Sequence, residues 1–496
     1  MKPYLKRKPN LIPKMHGFDY QLEAVRAIQK LEYSAIFHEQ GLGKTKIAID
    51  LLLYWLESQI IDTVMIVVKK SLLHNWHEEL KQHCQLRPGI LSQDKHQNHF
   101  VFNGDFRIVL TNYEVVKSEF ERMILFLKSR DVGAILDESV KIKNPDSSLT
   151  QAFFNLAPFF KRRVIMTGTP VANRPYDIWA QIWFLDQGRS LGNNYQHFRH
   201  SHDLSNNLAE STELRTSLEN GLLEIMNNIS HFTVRETKSS GVISLPEKVF
   251  ERVESIWEPI QYEMYSQVRD EMRTTIIKEG LAFDDISEGI LKRLLRLVQI
   301  TSNPRLVDES YCSEPGKLIY LHDLIHRITD NKEKCIVWTS FTENVDWLSR
   351  DLVEFGTCKI YGKMNMYERS HSVAAFKNDP KTRILIATPG AAKEGLTLTV
   401  ANHVIFYDRG FSLDDYIQAQ DRIHRISQQH TCFVHNIVMQ DSIDEWIDAL
   451  LTSKELAAKL AQGDITLEYY RSRMSYDFGT MLKDILKIPS KGNVNE

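Results

Sequence analysis

The chain has 496 residues, of which 43% are hydrophobic and 25% are charged, and 61 basic and 64 acidic residues leave a formal net charge of -3. This composition is ordinary for a soluble globular protein of about two to four domains. No run approaches the roughly 18 apolar residues of a membrane span, and the basic start lacks the apolar core of a secretory signal. Five cysteines without a C-x-x-C pair favour neither a disulfide framework nor a zinc site, so a cytoplasmic location is expected.

The densest basic stretch lies at the beginning of the chain, at Lys2, Lys6, Arg7, Lys8 and Lys14. Such a stretch is typical either of a solvated tail or of a contact with a DNA backbone, and both interpretations stay open. The near-neutral net charge neither indicates nor excludes a nucleic-acid partner, because a groove can be basic on a neutral protein.

Short apolar runs alternate with helix-like segments in the first third of the chain. Residues 20–31 carry apolar side chains at a spacing of three, which predicts one helical face. Strands are expected at 34–37, 63–68, 107–110, 133–136 and 163–166. The alternation returns at 334–338, 358–361, 383–387, 403–407 and 433–438. Continuous apolar strands between helices predict the α/β class, with parallel sheets covered on both faces.

Between the two strand-rich parts, from about 190 to 310, the sequence reads as mainly helical and no strand ladder is evident. The predicted order is an N-terminal α/β lobe, a mainly helical insertion, a C-terminal α/β lobe and a helical tail rich in Lys and Arg. The corresponding ranges are 1–190, 191–310, 311–450 and 451–496.

The segment "HEQGLGKTKIAID" (38–50) follows an apolar strand and begins a helix, which is the context of a phosphate-binding loop. Gly41 and Gly43 let backbone N–H groups approach a phosphate. Lys44 would reach the β- and γ-phosphates, and the hydroxyl of Thr45 would bind Mg²⁺. The N-terminus of the helix adds a favourable dipole.

A pair of acids follows a second strand in the same lobe. Asp137 and Glu138 end the run "AILDE" and therefore belong to the carboxyl edge of the sheet, the edge that also carries the loop. Asp137 can complete the coordination of Mg²⁺, and Glu138 can polarise an attacking water molecule.

The second lobe contains "QAQDRIHRISQ", residues 418–428. Arg422 and Arg425 are three residues apart, so on a helix they would share one face. A guanidinium directed at the γ-phosphate stabilises the charge of the transition state. The pattern therefore suggests a nucleotide that one lobe holds and the other lobe completes.

With these segments together, the chain resembles the SNF2 branch of the superfamily 2 helicases. "FDYQLEAV" resembles the adenine-reading Q motif, with Gln21, and "HEQGLGKT" resembles motif I, which usually reads DEMGLGKT. Further matches are "VVKKSLLHNWHEEL" for motif Ia, "LTNYE" for Ib, "DESV" for II, "MTGTPVAN" for III, "IVWTSF" for IV, "GAAKEGLTLTVANHVIFYD" for V and "QAQDRIHRISQ" for VI.

The chain departs from the family pattern at several positions. His38 and Gln40 replace the acid and the methionine of motif I, and Val140 replaces the histidine of motif II, which relates hydrolysis to the rest of the site. Ala391, Ala392, Thr397 and Ser427 are departures in motifs V and VI. Trp76 is open to two interpretations, a residue of motif Ia that faces the DNA backbone or a member of the core.

The resemblance implies two RecA-like lobes that close and open with each ATP, Mg²⁺ as a cofactor, and a monomer that tracks one strand of duplex DNA. It implies that Gln21, Gly395 and Gln418 also bind the nucleotide. By position in the motifs, residues of both lobes would face the DNA backbone: Lys70, Ser71, Thr111, Asn112, Thr169, Ser340, Thr388 and Lys393.

The expected function is an ATP-driven motor that remodels forked or branched DNA, like the compact phage or bacterial members of the family. Two alternatives remain open: a translocase on duplex DNA that displaces bound proteins, and a nucleotide-gated DNA-binding protein with little turnover. Aromatic residues in 256–265 and 281–285 are candidates for a strand-separating wedge, although core packing is their more common role.

Overall fold

The computed structural model describes residues 10–171, 173–204, 211–279, 288–392, 396–475 and 478–487. The chain forms two compact units. The first consists of Met1–His202, Gly221–Ser244 and Ala461–Gly463, and the second of Asp203–Asn220, Leu245–Leu460 and Asp464–Glu496. Among the described residues, no helix is long and apolar enough to cross a membrane.

The first unit is built on a seven-stranded sheet in the order β3-β4-β2-β5-β6-β1-β7, in which every neighbouring pair is parallel. Its strands are β1 (Tyr33–Ile36), β2 (Thr63–Val68), β3 (Gly89–Ile90), β4 (Ile108–Asn112), β5 (Val132–Asp137), β6 (Arg162–Met166) and β7 (Thr233–Val234). The helices as far as residue 229 are α1 (Asp19–Ile28), α2 (Lys44–Glu57), α3 (Leu73–His83), α4 (Lys95–Asn103), α5 (Tyr113–Ser118), α6 (Phe120–Ser129), α7 (Ser148–Leu156), α8 (Trp179–Asp186), α9 (Tyr195–Ser201) and α10 (Thr212–Ile229).

The second unit contains a six-stranded sheet in the order β10-β11-β9-β12-β13-β8, again with parallel neighbours throughout. Its strands are β8 (Lys248–Ser255), β9 (Cys335–Trp338), β10 (Thr357–Ile360), β11 (Ile384–Ala387), β12 (His403–Phe406) and β13 (Cys432–Met439). The remaining helices are α11 (Pro259–Glu279), α12 (Glu288–Ser302), α13 (Gly316–Asp330), α14 (Thr342–Asp351), α15 (Met366–Asn378), α16 (Pro389–Ala392), α17 (Leu413–Gln420), α18 (Ile443–Ala461), α19 (Leu467–Arg473) and α20 (Phe478–Ile485).

The α/β class and the two parallel sheets are confirmed, and each of the ten strands expected from the sequence is present within a residue or two. The central strands β2 and β5 are buried along their whole length, because helices cover both faces of the sheet. Since all strands of the first sheet are parallel, the residues that follow β1, β2, β4, β5 and β6 lie at one edge. That edge carries the candidate site.

The segment between 190 and 310 is mainly helical, as the sequence predicts, but it also contributes two strands to the sheets. β7 extends the first sheet beside β1, and β8 extends the second beside β13 over eight residue pairs. The sequence gives a weak signal for both. β7 has only two residues, and β8 is an edge strand with much of its surface exposed, so "KVFERVES" has no continuous apolar run.

Candidate nucleotide-binding site

The phosphate loop lies between β1 and α2, as the sequence predicts. Gly41 and Gly43 have φ angles of 89° and 72°, in the left-handed region that favours glycine. A Cβ atom at Gly43 would lie 2.2 Å from Nε2 of Gln21, so this position has no room for a side chain. α2 then runs for 14 residues from Lys44, and its first backbone N–H groups are directed out of the helix N-terminus toward the loop.

Lys44 is enclosed by the loop that precedes it. Its Nζ donates hydrogen bonds to the carbonyl oxygens of His38 at 3.0 Å and Glu39 at 3.3 Å. The side chain is buried, while the neighbouring Thr45 is half-buried in the first turn of α2. The ammonium group is therefore held at the loop by carbonyl oxygens, which are ligands that a phosphate oxygen can replace.

Gln21 of α1 supports the loop from behind. Its Nε2 donates to the carbonyl oxygen of Leu42 at 3.3 Å and contacts the hydroxyl of Tyr20, while its Oε1 accepts the backbone N–H of Phe18 at 3.0 Å. The side chain is buried. Both ends of this amide thus bind protein groups, and its role in reading adenine stays a prediction.

Asp137 is the last residue of β5, and both of its carboxylate oxygens are hydrogen-bonded. Oδ1 accepts the backbone N–H of Glu138 at 2.9 Å, and Oδ2 accepts the indole N–H of Trp76 at 2.7 Å. The hydroxyl of Tyr113 donates to the backbone carbonyl of Asp137 at 2.7 Å. Burial, together with the charge of Glu138, raises the pKa of Asp137 to about 6, and the bond from Trp76 acts in the opposite direction.

Trp76 thus belongs both to the core and to the site. It is 1% exposed within the core cluster of the first unit, yet its one polar atom reaches Asp137. The sequence left Trp76 open between a DNA-facing residue of motif Ia and a member of the core, and it did not predict the bond to Asp137. Because a buried indole N–H needs an acceptor, the position of Trp76 after β2, the strand beside β5, could have indicated a carboxylate partner.

Glu138 has φ 51° and ψ 53°, which places a non-glycine residue in the left-handed region at a cost of about 1–3 kcal/mol. Its Oε1 accepts a hydrogen bond from Nε2 of Gln40 at 3.2 Å. Its Oε2 is buried and has no hydrogen-bonding partner among the described residues. Gln40 was noted in the sequence only as a departure from the family pattern, and its contact with Glu138 was not foreseen.

Motif III lies against the same loop. A Cβ atom at Gly168 would lie 2.9 Å from Cγ of Gln40 and 3.2 Å from Nζ of Lys44, so the glycine permits this close approach. A buried amide also connects motifs II and III: Gln181 accepts the hydroxyl of Ser139 at 2.7 Å and donates to the carbonyl oxygen of Pro170 at 3.1 Å. The three motifs therefore share direct contacts.

His38 stands where motif I usually has an acid, but it does not supply the negative charge of that acid. The ring is buried, and neither nitrogen has a partner of good hydrogen-bonding geometry among the described residues. Burial and the positive charge of Lys44 lower the pKa of His38 to about 4. The imidazole is consequently neutral at neutral pH.

The oxygen ligands at this edge fit Mg²⁺. In the part of the chain that the structure describes, no group of three or more His, Cys, Asp or Glu side chains is arranged to hold a metal ion. Mg²⁺ does not require such a cage, because it usually binds one or two protein oxygens together with phosphates and water. The carboxylate of Asp137 and the hydroxyl of Thr45 are donors of that kind.

The expectation that Arg422 and Arg425 share a helical face is wrong. α17 ends at Gln420, and the residues after it form turns. Arg422 is buried, and its guanidinium donates to the carbonyl oxygens of Gln418 at 2.9 Å and Leu396 at 3.0 Å. These two bonds join α17 to the segment before β12 and give Arg422 a structural role in the second unit.

Arg425 is half-buried, and it donates to the hydroxyl of Thr397 at 2.7 Å and to the carbonyl oxygen of Asp421 at 3.1 Å. Gln418 is buried, and its amide donates to Asp414 at 2.8 Å. Gly395, which was expected to bind the nucleotide, lies outside the described residues.

The residues expected to face DNA from the first unit divide into two groups. Lys70 and Ser71 are exposed in a short turn directly after β2. Thr111 is fully buried within β4, and Asn112 is buried and caps α5 by accepting the backbone N–H of Val115 at 3.1 Å. Both side chains are therefore largely shielded from solvent, and their contact with DNA stays a prediction. Thr169 is also buried, at 6% exposure.

In the second unit, Ser340 and Thr388 line one cavity of about 540 Å³, together with Arg369 and Arg409. Ser340 is exposed, and Thr388 is 8% exposed. Lys393 lies outside the described residues.

The candidate wedge aromatics are mostly used inside the second unit. Tyr265 is fully buried and its hydroxyl accepts the backbone N–H of Ile443, while the indole of Trp257 donates to the carbonyl oxygen of Gln440 at 2.8 Å. Tyr262 is 41% exposed. Residues 281–285 lie outside the described residues.

The chain has a phosphate-binding loop, two carboxylates of motif II and a second parallel α/β unit. These features are typical of nucleotide-binding proteins built from two α/β units, and the comparison with known protein families supports this class. The family model described as the SNF2-related domain matches residues 20–306, which is more than half of the chain. The helicase conserved C-terminal domain matches residues 316–427. The chain belongs to the SNF2-related family.

Similar curated proteins include an uncharacterized ATP-dependent helicase of Mycoplasma pneumoniae, 27% identical over 90% of this chain and 42% of the relative. The putative ATP-dependent helicase/translocase YwqA of Bacillus subtilis is 28% identical over 84% of this chain and 45% of its own length. The DNA annealing helicase and endonuclease ZRANB3 of Bos taurus is 24% identical over 84% and 38%. The chain spans less than half of each of these relatives.

Among solved structures, the chain is similar to the SWI2/SNF2 ATPase core of Sulfolobus solfataricus in complex with dsDNA. The identity is 24% and the TM-score 0.42, with 95% of this chain and 99% of that one covered.

Proposed function

We propose that the chain is an ATP-driven DNA motor, which hydrolyses ATP, tracks the DNA backbone and remodels branched DNA such as forks and four-way (Holliday) junctions. The observation that carries the proposal is the edge of the first sheet, where Lys44 lies in the phosphate loop and Glu138 is hydrogen-bonded to Gln40 of that loop. Family membership and the ATP-dependent helicases among the relatives support the same reaction.

Each residue of the edge has a defined part in hydrolysis. Lys44 binds the β- and γ-phosphates, and backbone N–H groups of the loop and α2 hold the remaining phosphate oxygens. Thr45 and Asp137 would hold Mg²⁺, which would neutralise negative charge on the phosphates. Glu138 polarises the attacking water, and Arg425 stabilises the transition state in a role that the resemblance implies.

The DNA backbone would be bound by residues whose side chains are accessible or line a cavity: Lys70, Ser71, Ser340 and Thr388. Contacts to phosphates carry no sequence information, so binding should be tolerant of sequence and weaken with salt. The preference for branched DNA is supported by the similarity to a DNA annealing helicase. The motor is proposed to work as a monomer.

The test is ATP turnover by the chain without DNA and with single strands, linear duplex, a fork and a four-way junction, at fixed salt and nucleotide concentration. Lys44→Ala is the control for contaminating hydrolysis. We expect forks and junctions to stimulate turnover more strongly than linear duplex. Equal stimulation by plain duplex would replace branch remodelling by a translocase that displaces bound proteins. If turnover is no faster than in the control and ATP still binds, the chain would instead be a nucleotide-gated DNA-binding protein.

A further inference from the structure

Gln40 stands where the family usually has a methionine, and the two side chains differ in one decisive respect. Both are unbranched and of similar length, but only glutamine has a donor at its end. In this chain that donor, Nε2, lies 3.2 Å from Oε1 of Glu138. The substitution therefore adds a hydrogen bond between motif I and the carboxylate that the proposed function assigns to the attacking water.

We infer that Gln40 is a positioning residue for hydrolysis, which fixes the carboxylate of Glu138 so that one of its oxygens is left for water. The inference rests on the proposed function. The backbone of Glu138 is already fixed, because its N–H donates to Asp137 at 2.9 Å. This bond does not fix the position of the carboxylate, because three further torsions lie between the backbone and the carboxylate.

The two oxygens of Glu138 have different surroundings. Oε1 is bound by Gln40, whereas Oε2 is buried and has no protein partner among the described residues. A buried carboxylate oxygen that accepts no hydrogen bond destabilises the folded state, and a water molecule is a suitable donor to it. With Oε1 held, rotation of the carboxylate is restricted and Oε2 keeps one direction. This arrangement suits a base that must accept a proton from a single position.

Gly168 of motif III lies next to Gln40. Gly168 lies so close that a Cβ there would be 2.9 Å from Cγ of Gln40 and 3.1 Å from its backbone nitrogen. The chain lacks the motif II histidine, because Val140 occupies that position. Gln40 supplies a contact between motifs I, II and III in a chain without that histidine.

The first test compares Gln40→Met with the unaltered chain. Methionine keeps the contact with Gly168 and removes the donor. We expect kcat for ATP to fall by about tenfold or more, since placement of a general base accounts for part of its roughly 10²–10⁴-fold contribution. KM and the affinity for a fluorescent ATP analogue should stay within about twofold, because Gln40 is not assigned to phosphate binding.

Gln151→Met is the matched control. The amide of Gln151 donates to the carbonyl oxygen of Pro145 at 2.8 Å in the same unit, so this change also removes one amide hydrogen bond. A second variant, Gln40→Asn, keeps the amide but shortens the side chain by one methylene group, so it cannot reach Glu138. Both Gln40 variants should have a lower kcat at unchanged thermal stability. Gln151→Met should keep the kcat of the unaltered chain.

Two results would overturn the inference: kcat within about twofold of the unaltered chain in Gln40→Met or Gln40→Asn, or a loss of ATP affinity that accounts for the whole effect. Failure of the proposed function looks different. In that case the unaltered chain itself would turn over ATP no faster than Lys44→Ala, before any Gln40 variant is compared.

Discussion

A lysine of the first unit and an arginine of the second unit lie in motifs that resemble parts of one ATPase site, but their hydrogen-bonding partners differ in kind. In the first unit, Lys44 is bound by two carbonyl oxygens of its own loop. In the second unit, Arg422 is bound by carbonyl oxygens of two separate elements, Gln418 in α17 and Leu396 before β12. The bonds of Lys44 are local and can be exchanged for a phosphate. Those of Arg422 join α17 to the segment before β12.

This comparison shows that a charged residue in a recognised motif can have either role. Arg422 and Arg425 are three positions apart, yet one is buried and the other half-buried, because α17 ends before both of them. What separates a ligand-binding cation from a structural one is whether its present partners can be given up. Variants of these three residues can therefore test the distinction directly.

The largest effect is expected for Lys44→Ala. ATP hydrolysis should be lost, by at least about 10²-fold, because the phosphate charge loses its cation. The fold should remain, since the carbonyl oxygens of His38 and Glu39 belong to a loop at the edge of the sheet and can bind water. Steady-state ATP turnover and a thermal unfolding curve measure the two parts. Normal turnover in this variant would contradict the site assignment.

Arg425→Ala should come next, with turnover reduced by about 10³-fold or more at retained ATP binding. The lost contact with Thr397 lies at a half-buried position, so stability should change little. Single-turnover hydrolysis and equilibrium binding of a labelled nucleotide separate the two effects. If the variant instead fails to bind ATP, Arg425 does not act on the transition state.

Arg422→Ala should act mainly on stability. Removing the guanidinium leaves the carbonyl oxygens of Gln418 and Leu396 buried without these donors and opens a cavity, which together cost about 2–4 kcal/mol. The midpoint of urea unfolding should fall, and it should fall further than in Arg425→Ala. A variant as stable as the unaltered chain that has lost turnover would make Arg422 the residue that acts on the nucleotide.

The sequence predicted most of the fold because buried parallel strands give continuous apolar runs. It failed at β3, β7 and β8, because two strands of two residues and an exposed edge strand lack such a run. For the site, it predicted which residues gather at the edge of the first sheet, because strand order alone brings their ends together.

The contacts between side chains could not be predicted in the same way. The bonds from Gln40 to Glu138 and from Trp76 to Asp137 join residues 98 and 61 positions apart, and no periodic pattern indicates such pairs. The burial of Thr111 was likewise hidden, because a threonine in a short motif has the same sequence signature at the surface and inside the sheet.

The smallest effect is expected for Trp76→Phe, which keeps an aromatic ring in the core and removes the donor to Oδ2 of Asp137. Partners that orient metal ligands commonly affect metal affinity by 10- to 100-fold, so the Mg²⁺ concentration for half-maximal ATP turnover should rise by roughly tenfold. Loss of the hydrogen bond also raises the pKa of Asp137 further, which weakens a ligand that must be ionised.

Trp55→Phe is the matched control for this change. Trp55 lies in the same core cluster, is 1% exposed and donates its indole N–H to the carbonyl oxygen of Gln29 at 3.1 Å. Both variants lose one buried indole hydrogen bond, so both should lose about 1 kcal/mol of stability. Only Trp76→Phe should require more Mg²⁺, and at saturating Mg²⁺ its turnover should return toward that of the unaltered chain. An equal demand for Mg²⁺ in the two variants would mean that Trp76 contributes to the core alone, and that the hydrogen bond to Asp137 does not orient a metal ligand.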